Sequence, residues 1–163
     1  MATVNGSSYN GSPQPLFLYG TLLAPPLLAW LLTGNRANTN LVASITKPAR
    51  LYGYSRTSLH GYDYPALVPA SNATDFVDGL LLRPQTLSQR QKVDNFEGET
   101  YKLTTVTVNV SDESVVEAGA YVYCGDHDRV ADEPWDPSTF VKERLEDWLD
   151  IFDGMEVLDD EGN

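Results

Sequence analysis

Near the start of the chain stands the run Leu16-Phe17-Leu18-Tyr19-Gly20-Thr21-Leu22, which is apolar and aromatic up to its glycine. A short apolar run that stops at glycine predicts a buried strand followed by a turn. Pro25 and Pro26 then favour the first turn of a helix, and Gly34 suits the left-handed residue just after one. We therefore predict a strand, a glycine turn and a short apolar helix over residues 26–32.

The rest of the chain predicts more short elements. Stretches that are apolar or alternating, most of them flanked by Gly, Pro, Asp or Asn, predict strands at 49–54, 76–82, 102–110 and 118–124. Helix formers at 87–95 predict a short helix that leads Phe96 toward the core. These elements indicate an α+β domain, with a small β-barrel as one arrangement, and spacing alone does not give the strand order.

The last predicted element is an amphipathic helix at about 137–153. Asp136 can cap it, and Pro137 can take its first position. Apolar residues follow at helical spacing, namely Val141, Leu145, Trp148, Leu149 and Phe152. Their spacing predicts one continuous helix whose apolar face packs on the core.

Composition limits the class of protein. A chain of 163 residues with 42% hydrophobic content fits one domain, predicted here at 15–157, between tails at 1–14 and 158–163. Eleven basic against twenty-three acidic side chains give a net charge of -12, which argues against nucleic-acid binding and anionic membrane surfaces. The longest apolar stretch, 22–32, is broken by prolines and falls short of the roughly 20 residues that cross a bilayer.

Cysteine usage favours a cytoplasmic protein. Cys124 is the single cysteine and cannot form an internal disulfide, and no basic-then-apolar leader opens the chain. Because Cys124 ends an apolar strand, we expect a small core residue there rather than a nucleophile.

Several enzyme classes lack their signature. The sequence has no Gly-X-Ser-X-Gly elbow, no Gly-Lys-Ser/Thr phosphate loop and no Gly-X-Gly-X-X-Gly motif. His60 and His127 have no second ligand at metal-binding spacing, so no zinc site is expected. These observations argue against acyl-enzyme hydrolysis, nucleotide hydrolysis and nicotinamide chemistry.

Two features remain that carry chemistry. The turn Tyr19-Gly20-Thr21-Leu22 can point successive N–H groups into one concavity that binds a carboxylate or an oxyanion, although such turns more often have no ligand. Glu97 lies between Phe96 and Gly98. If Glu97 is buried, its pKa rises from about 4.3 toward neutrality, which suits an acid/base group, whereas an exposed loop glutamate has no such role.

Five short motifs in a fixed order carry a family resemblance over roughly residues 16–123. They are Phe17-Leu18-Tyr19-Gly20-Thr21-Leu22, Asp63-Tyr64-Pro65-Ala66-Leu67-Val68, Val77-Asp78-Gly79-Leu80, Val93-Asp94-Asn95-Phe96-Glu97-Gly98 with Tyr101, and Ala120-Tyr121-Val122-Tyr123. Together they resemble the gamma-glutamylcyclotransferase-like superfamily, nearest to its plant avirulence-induced and gamma-glutamylamine cyclotransferase branch. The resemblance implies a small mixed β-barrel with flanking helices and a pocket between the first and fourth motifs.

The resemblance also implies roles for particular residues. Glu97 matches the general acid/base that helps a γ-glutamyl group cyclise to 5-oxoproline and release an amine, without cofactor or metal. The N–H groups of Gly20, Thr21 and Leu22 would bind the α-carboxylate, and Tyr19 would line the pocket. Two further tyrosines, Tyr101 and Tyr123, are candidates to close the pocket.

The substrate and the reaction remain open at this stage. The loop reads Gly-Thr-Leu-Leu-Ala-Pro-Pro, unlike the Gly-Ser-Asn/Asp of the glutathione-degrading branch, so a small γ-glutamyl amine is expected rather than glutathione. Pro65 fits the family's Tyr-Pro turn and is expected to shape the pocket wall. The alternatives are a small-molecule binding module, or an isomerase or lyase that uses Glu97 for proton transfer. The sequence predicts no oligomeric state.

Overall fold

The β-strands form a barrel and a smaller sheet. The computed structural model describes residues 13–112 and 114–152. The strands in this part are β1 (Leu16–Leu18), β2 (Thr46–Tyr52), β3 (Tyr54–Leu59), β4 (Pro65–Pro69), β5 (Phe76–Leu82), β6 (Tyr101–Val110), β7 (Val115–Tyr123) and β8 (Val130–Pro134). Five strands close into a barrel in the order β1-β5-β2-β6-β7, and the other three form a sheet in the order β4-β3-β8. The predicted α+β class with a small mixed barrel is confirmed.

Helices flank the barrel. In the described residues they are α1 (Pro25–Thr33), α2 (Thr39–Ile45), α3 (Leu87–Glu97), α4 (Pro137–Glu143) and α5 at 145–152, with short 3-10 turns at Thr21–Leu23 and His127–Arg129. Helix α1 ends at Gly34, whose φ of 78° is left-handed, as predicted. Helix α2 was not predicted. No helix in the described ranges is long and apolar enough to cross a bilayer.

Strand β1 is the centre of the fold because both of its faces are buried. It pairs antiparallel with β5 and parallel with β7, which closes the barrel. Leu16 and Leu18 pack against the helices, whereas Phe17 and Tyr19 belong to the second apolar cluster, which fills the barrel. A strand buried on two faces reads as a continuous apolar run, which is why this part of the sequence was so informative.

Two predictions in the middle of the chain were wrong. The strand predicted at 49–54 runs across Gly53, whose φ of 86° makes a turn, so the chain there forms the end of β2 and the start of β3. Pro65 was expected in a Tyr-Pro turn. It is instead the first residue of β4, where it pairs with Ser58. Proline is tolerated at a strand's first residue, so the sequence did not exclude this arrangement.

The ends of the chain differ from prediction in two places. The closing helix predicted at 137–153 is interrupted at Arg144, whose φ of -123° is not helical, and residue 153 lies outside the described range. Asp136 caps α4 as predicted, its side chain accepting from Ser138 N at 3.0 Å. The predicted tails at 1–14 and 158–163 also lie outside the described residues, apart from Pro13 and Gln14. Pro13 is buried and Gln14 is half-buried.

Asp63 fixes the position of α5. Its carboxylate oxygen Oδ2 accepts hydrogen bonds from Arg144 Nε and Trp148 Nε1, both at 2.9 Å, and its backbone oxygen accepts one from Trp135 Nε1 at 2.7 Å. Burial alone would raise the pKa of Asp63, but the bonds from Trp148 and Arg144 outweigh it and lower the pKa below its ordinary value. The anchored α5 bears two aromatic residues that line the site described below.

We expect Asp63→Asn to lower the free energy of unfolding by about 1 kcal/mol at neutral pH, because a charged acceptor of two hydrogen bonds is lost at a partly exposed position. The folded-state pKa of Asp63 is lowered, so its contribution is present above the unfolded pKa and disappears as the pH falls. Urea unfolding at pH 7 and pH 3 measures both effects. Asp147→Asn is the matched control, since it removes the other ion pair of Arg144 and leaves Asp63 intact. An equal loss in both variants would contradict the role of Asp63.

Candidate active site

A cavity of about 410 Å³ opens where the end of β1, the end of α3 and helix α5 meet. Its lining consists of Phe17, Leu18, Tyr19, Gly20, Thr21, Leu22, Tyr64, Asn95, Phe96, Glu97, Thr100, Tyr101, Tyr121, Trp148 and Phe152. Within the described ranges, Glu97 is the one Asp, Glu, Lys, Arg or His side chain in this lining. The cavity is therefore largely aromatic, with a single carboxyl group.

Glu97 is the last residue of α3. The helix ends there because Gly98 has a φ of 79° and leaves the helical path. The side chain is half-buried, and burial together with the nearby charge of Asp94 raises the pKa of Glu97 to about 8. At neutral pH the free protein therefore holds Glu97 mainly as the carboxylic acid.

We expect Glu97→Gln to be more stable than the wild type above pH 5. The pKa of Glu97 is raised from 4.5 to about 8, so the unfolded chain loses this proton first and the wild type loses stability as the pH rises through that window. For one titrating group, the free energy of unfolding changes by at most about 1.4 kcal/mol per pH unit. Thermal unfolding from pH 4 to 9 should show the two proteins nearly equal at pH 4 and diverging up to about pH 8. A constant difference across the range would contradict a buried titrating Glu97.

Three tyrosine hydroxyls around Glu97 already have acceptors. Tyr19 donates to Tyr121 O and Tyr101 donates to Pro65 O, both at 2.6 Å, and Tyr121 donates to the Asp94 carboxylate. Burial and then the charge of Glu97 raise the pKa of Tyr19 and of Tyr101, so both stay neutral. These hydroxyls hold the cavity wall in place.

The turn after β1 presents unpaired N–H groups. In the described part of the chain, no hydrogen bond is donated by the backbone nitrogens of Gly20, Thr21 or Leu22. Arg56 Nη1 donates to Tyr19 O at 2.9 Å. Because the carbonyl and the N–H of a trans peptide point in opposite directions, this bond turns the Gly20 N–H away from Arg56. The three N–H groups can receive an anion such as a carboxylate.

Gly20 lies close to Pro65, the first residue of β4. A Cβ atom at this position would stand 3.1 Å from Cδ and Cγ of Pro65. Pro65 thus packs directly beside the turn, and its oxygen also holds Tyr101. Pro65 itself is not among the cavity-lining residues, so its expected contribution to the pocket wall stays a prediction; its contacts with Gly20 and Tyr101 are made from a strand rather than from a turn.

The structure brings most of the predicted site residues together. Tyr19, Gly20, Thr21, Leu22, Glu97 and Tyr101 all line the one cavity. Tyr123 is the exception: its hydroxyl donates to Asp126 O at 3.1 Å, and its ring packs edge-on against Tyr101 at 5.8 Å. It lies two residues beyond Tyr121 on β7, about 6–7 Å farther along the strand, and contacts the lining through Tyr101.

Sequence reasoning missed six aromatic lining residues: Phe17, Tyr64, Phe96, Tyr121, Trp148 and Phe152. Tyr64 and Tyr121 stand inside two of the quoted motifs, which was the available signal. Trp148 and Phe152 were assigned to a core-facing helix stripe, and helical spacing does not distinguish a core from a cavity wall.

Cys124 was also placed wrongly. It is exposed rather than a core residue, and it lies just beyond β7, which ends at Tyr123. Its sulfur lies 3.7 Å from Glu99 O, and Cys124 is not among the cavity-lining residues. Across residues 13–112 and 114–152, no three His, Cys, Asp or Glu side chains gather in a way that could hold a metal ion.

The protein is a small α+β barrel in which Glu97, whose pKa is raised, lines the same cavity as the glycine turn after β1. Residues 16–137 match the family model described as "Gamma-glutamyl cyclotransferase, AIG2-like". The chain belongs to this family, which includes enzymes that act on small γ-glutamyl substrates.

Individual relatives are distant. The chain is 29% identical over 135 residues to AIG2-like protein C of Arabidopsis thaliana, covering 82% of this chain and 73% of that protein. A solution structure of an Arabidopsis thaliana protein matches with a TM-score of 0.60 and 26% identity, over 87% of this chain and 81% of the other. A structure titled gamma-glutamyl cyclotransferase has a TM-score of 0.52 and 15% identity, over 68% and 66% of the two chains, and supports the fold alone.

Proposed function

We propose that this protein is a gamma-glutamyl cyclotransferase that converts a small γ-glutamyl amine to 5-oxoproline and the free amine, with Glu97 as general acid/base. The observation that carries the proposal is the placement of Glu97, with its raised pKa, in the same cavity as the unpaired N–H groups of residues 20–22. Family membership supports an enzyme of this general kind.

The reaction rearranges bonds within one substrate. The α-nitrogen forms a bond to the γ-carbonyl carbon, and the original bond from that carbon to the amide nitrogen breaks. The α-ammonium gives up two protons: one reaches the leaving nitrogen through Glu97, and the other passes to solvent. Because attacker and carbonyl belong to one molecule, the protein has mainly to bend and hold the substrate, and no nucleophilic side chain is needed.

Glu97 performs both proton transfers in this scheme. The ammonium of a bound substrate lies near the carboxyl group and favours its ionised form, which lowers the raised pKa of the free protein. The carboxylate then takes a proton from the ammonium and, as carboxylic acid, gives it to the leaving nitrogen. A pKa near 8 before binding keeps the two forms close in free energy at cellular pH.

Charge complementarity orients the substrate. The α-carboxylate would accept hydrogen bonds from the backbone of Gly20, Thr21 and Leu22, whose N–H groups are otherwise unpaired. Tyr19 and Tyr101 have their hydroxyls engaged and so would contribute shape rather than donors. Of the tyrosines expected to close the pocket, Tyr101 keeps that role in the proposal and Tyr123 acts through it.

A second candidate is proton transfer by Glu97 on another metabolite, as in an isomerase or lyase. The observation that favours it is the aromatic lining, which is more apolar than a zwitterion needs. Incubation of the purified protein with γ-glutamyl amines, γ-glutamyl dipeptides and glutathione, with 5-oxoproline quantified, separates the two. Release of 5-oxoproline supports the cyclotransferase, and no release by folded protein favours the second candidate. The cytoplasmic location expected from the sequence stays a prediction.

A further inference from the structure

One wall of the cavity is a cluster of three mutually contacting rings. The ring centroids of Phe96 and Trp148 are 6.4 Å apart, those of Phe96 and Phe152 are 6.0 Å apart, and those of Trp148 and Phe152 are 5.7 Å apart. All three side chains are half-buried, so part of each ring faces the open cavity. We call these three residues the aromatic wall.

The aromatic wall offers no hydrogen-bond donor to a ligand. Phe96 and Phe152 have none, and the indole N–H of Trp148 is already given to Asp63 Oδ2 at 2.9 Å. Asp63 also accepts from Arg144, so the indole is held with its nitrogen on the side of Asp63. Of the neutral polar side chains that remain in the lining, Asn95 and Thr100 are exposed, Tyr64 is half-buried and Thr21 is buried.

The cavity also lacks a cation for a second carboxylate. Within the described ranges, no Lys, Arg or His side chain lines it. Residues 1–12, 113 and 153–163 contain no Lys, Arg or His in the sequence. A leaving group that carries a carboxylate would therefore bring an unpaired charge against aromatic rings, and burying such a charge is strongly unfavourable.

We propose that the aromatic wall binds the leaving amine, and that this amine is apolar and ring-bearing, without a carboxylate. The inference rests on the proposed cyclotransferase function and names its substrate class. Glu97 and the three residues of the aromatic wall line the same cavity, so a group extending from the nitrogen beside Glu97 can reach the aromatic wall. An aromatic ring there gains apolar burial and offset or edge-on ring contacts.

Three substrates test the proposal. Gamma-glutamyl-benzylamide has the ring alone, γ-glutamyl-phenylalanine has the ring with a carboxylate, and γ-glutamyl-ethylamide has neither. We expect kcat/KM for the benzylamide to exceed both others by about tenfold or more, since a few buried apolar carbons or one unpaired carboxylate each change selectivity by at least that factor. If kcat/KM for γ-glutamyl-phenylalanine or γ-glutamyl-ethylamide equals that for γ-glutamyl-benzylamide, the inference is overturned, and the proposed cyclotransferase function is unaffected. Release of 5-oxoproline from none of the three but from another γ-glutamyl compound also overturns the inference, whereas release from no γ-glutamyl compound overturns the proposed function itself.

Variants locate the selectivity. Phe152→Ala should lower the benzylamide-to-ethylamide ratio of kcat/KM by about tenfold. Phe76→Ala is the matched control, because Phe76 is an exposed phenylalanine on β5 that contacts Tyr52 and Arg50 rather than the cavity. If Phe152→Ala leaves the ratio unchanged while the protein stays folded, the aromatic wall does not bind the leaving amine. Because the readout is a ratio, partial loss of active protein does not affect it.

Discussion

Glu97→Gln is expected to slow 5-oxoproline release by about a hundredfold to ten-thousandfold in kcat, the range typical of a lost general acid/base group. The amide keeps the size of the side chain but can neither take a proton from the α-ammonium nor give one to the leaving nitrogen. The half-buried position and the raised pKa of Glu97 make it suited to both transfers. Initial rates with saturating γ-glutamyl-benzylamide, or with whichever γ-glutamyl substrate is turned over best, measure the effect.

Glu99→Gln is the matched control for this measurement. Glu99 lies two residues further along, is exposed, and is not among the cavity-lining residues. Its substitution should leave kcat within about twofold, as is usual for surface changes that touch no substrate. Because Glu97→Gln is expected to stabilise the fold above pH 5, unfolding cannot explain a loss of activity. A Gln variant that keeps more than a tenth of the wild-type rate would rule out Glu97 as the acid/base group.

Gly79→Ala is expected to lower the free energy of unfolding by about 3 kcal/mol or more, although it adds only one methyl group. A Cβ atom at Gly79 would stand 2.1 Å from Leu18 O and 3.0 Å from the Phe17 ring. The carbonyl belongs to a strand paired on both sides, so it cannot move aside as a flexible side chain can. Since small domains have only about 5–15 kcal/mol of stability, the loss should be visible in the urea midpoint.

Gly119→Ala provides the comparison within the same barrel. The nearest atom to its added Cβ would be Leu103 Cδ1 at 2.8 Å, the end of a side chain that can change rotamer. We expect a loss of about 1 kcal/mol, near the lower end for overpacking. Equal urea midpoints for Gly79→Ala and the wild type would show that β1 and β5 can separate, contrary to the packing described above.

The sequence predicted local elements well where one pattern had one meaning. The buried run of β1, helix α1 with its glycine end, and the cap at Asp136 were all confirmed. Predictions failed where a sequence pattern was compatible with two different backbone conformations. Residues 49–54 have Leu51 and Tyr52 before Gly53 and Tyr54 after it, which is compatible with one strand or with two, and the helical spacing of the apolar residues in 141–152 gave no sign of the break at Arg144.

Only part of the candidate site was predicted, because some of its residues lie in patterns that are compatible with more than one structural role. Glu97 and the turn at 19–22 could be selected from local chemistry and from the family resemblance, and both line the cavity. Trp148 and Phe152 could not be assigned to it, because their spacing is that of an ordinary core-facing helix. Tyr123 was selected from a motif that places Tyr121 on the same face of β7, and only the position along the strand separates them.

The sequence by itself therefore determined the class of fold, the position of the acid/base candidate and the glycine turn, because these depend on residues adjacent in the chain. The tertiary structure alone decided which aromatic side chains surround Glu97, and that Asp63 holds Trp148 across 85 residues of chain. It also placed Gly79 against Leu18 O. Contacts of this kind form when the barrel closes and distant segments come together. Periodicity along the chain shows which face of an element is apolar, but it does not show which distant segment that face contacts.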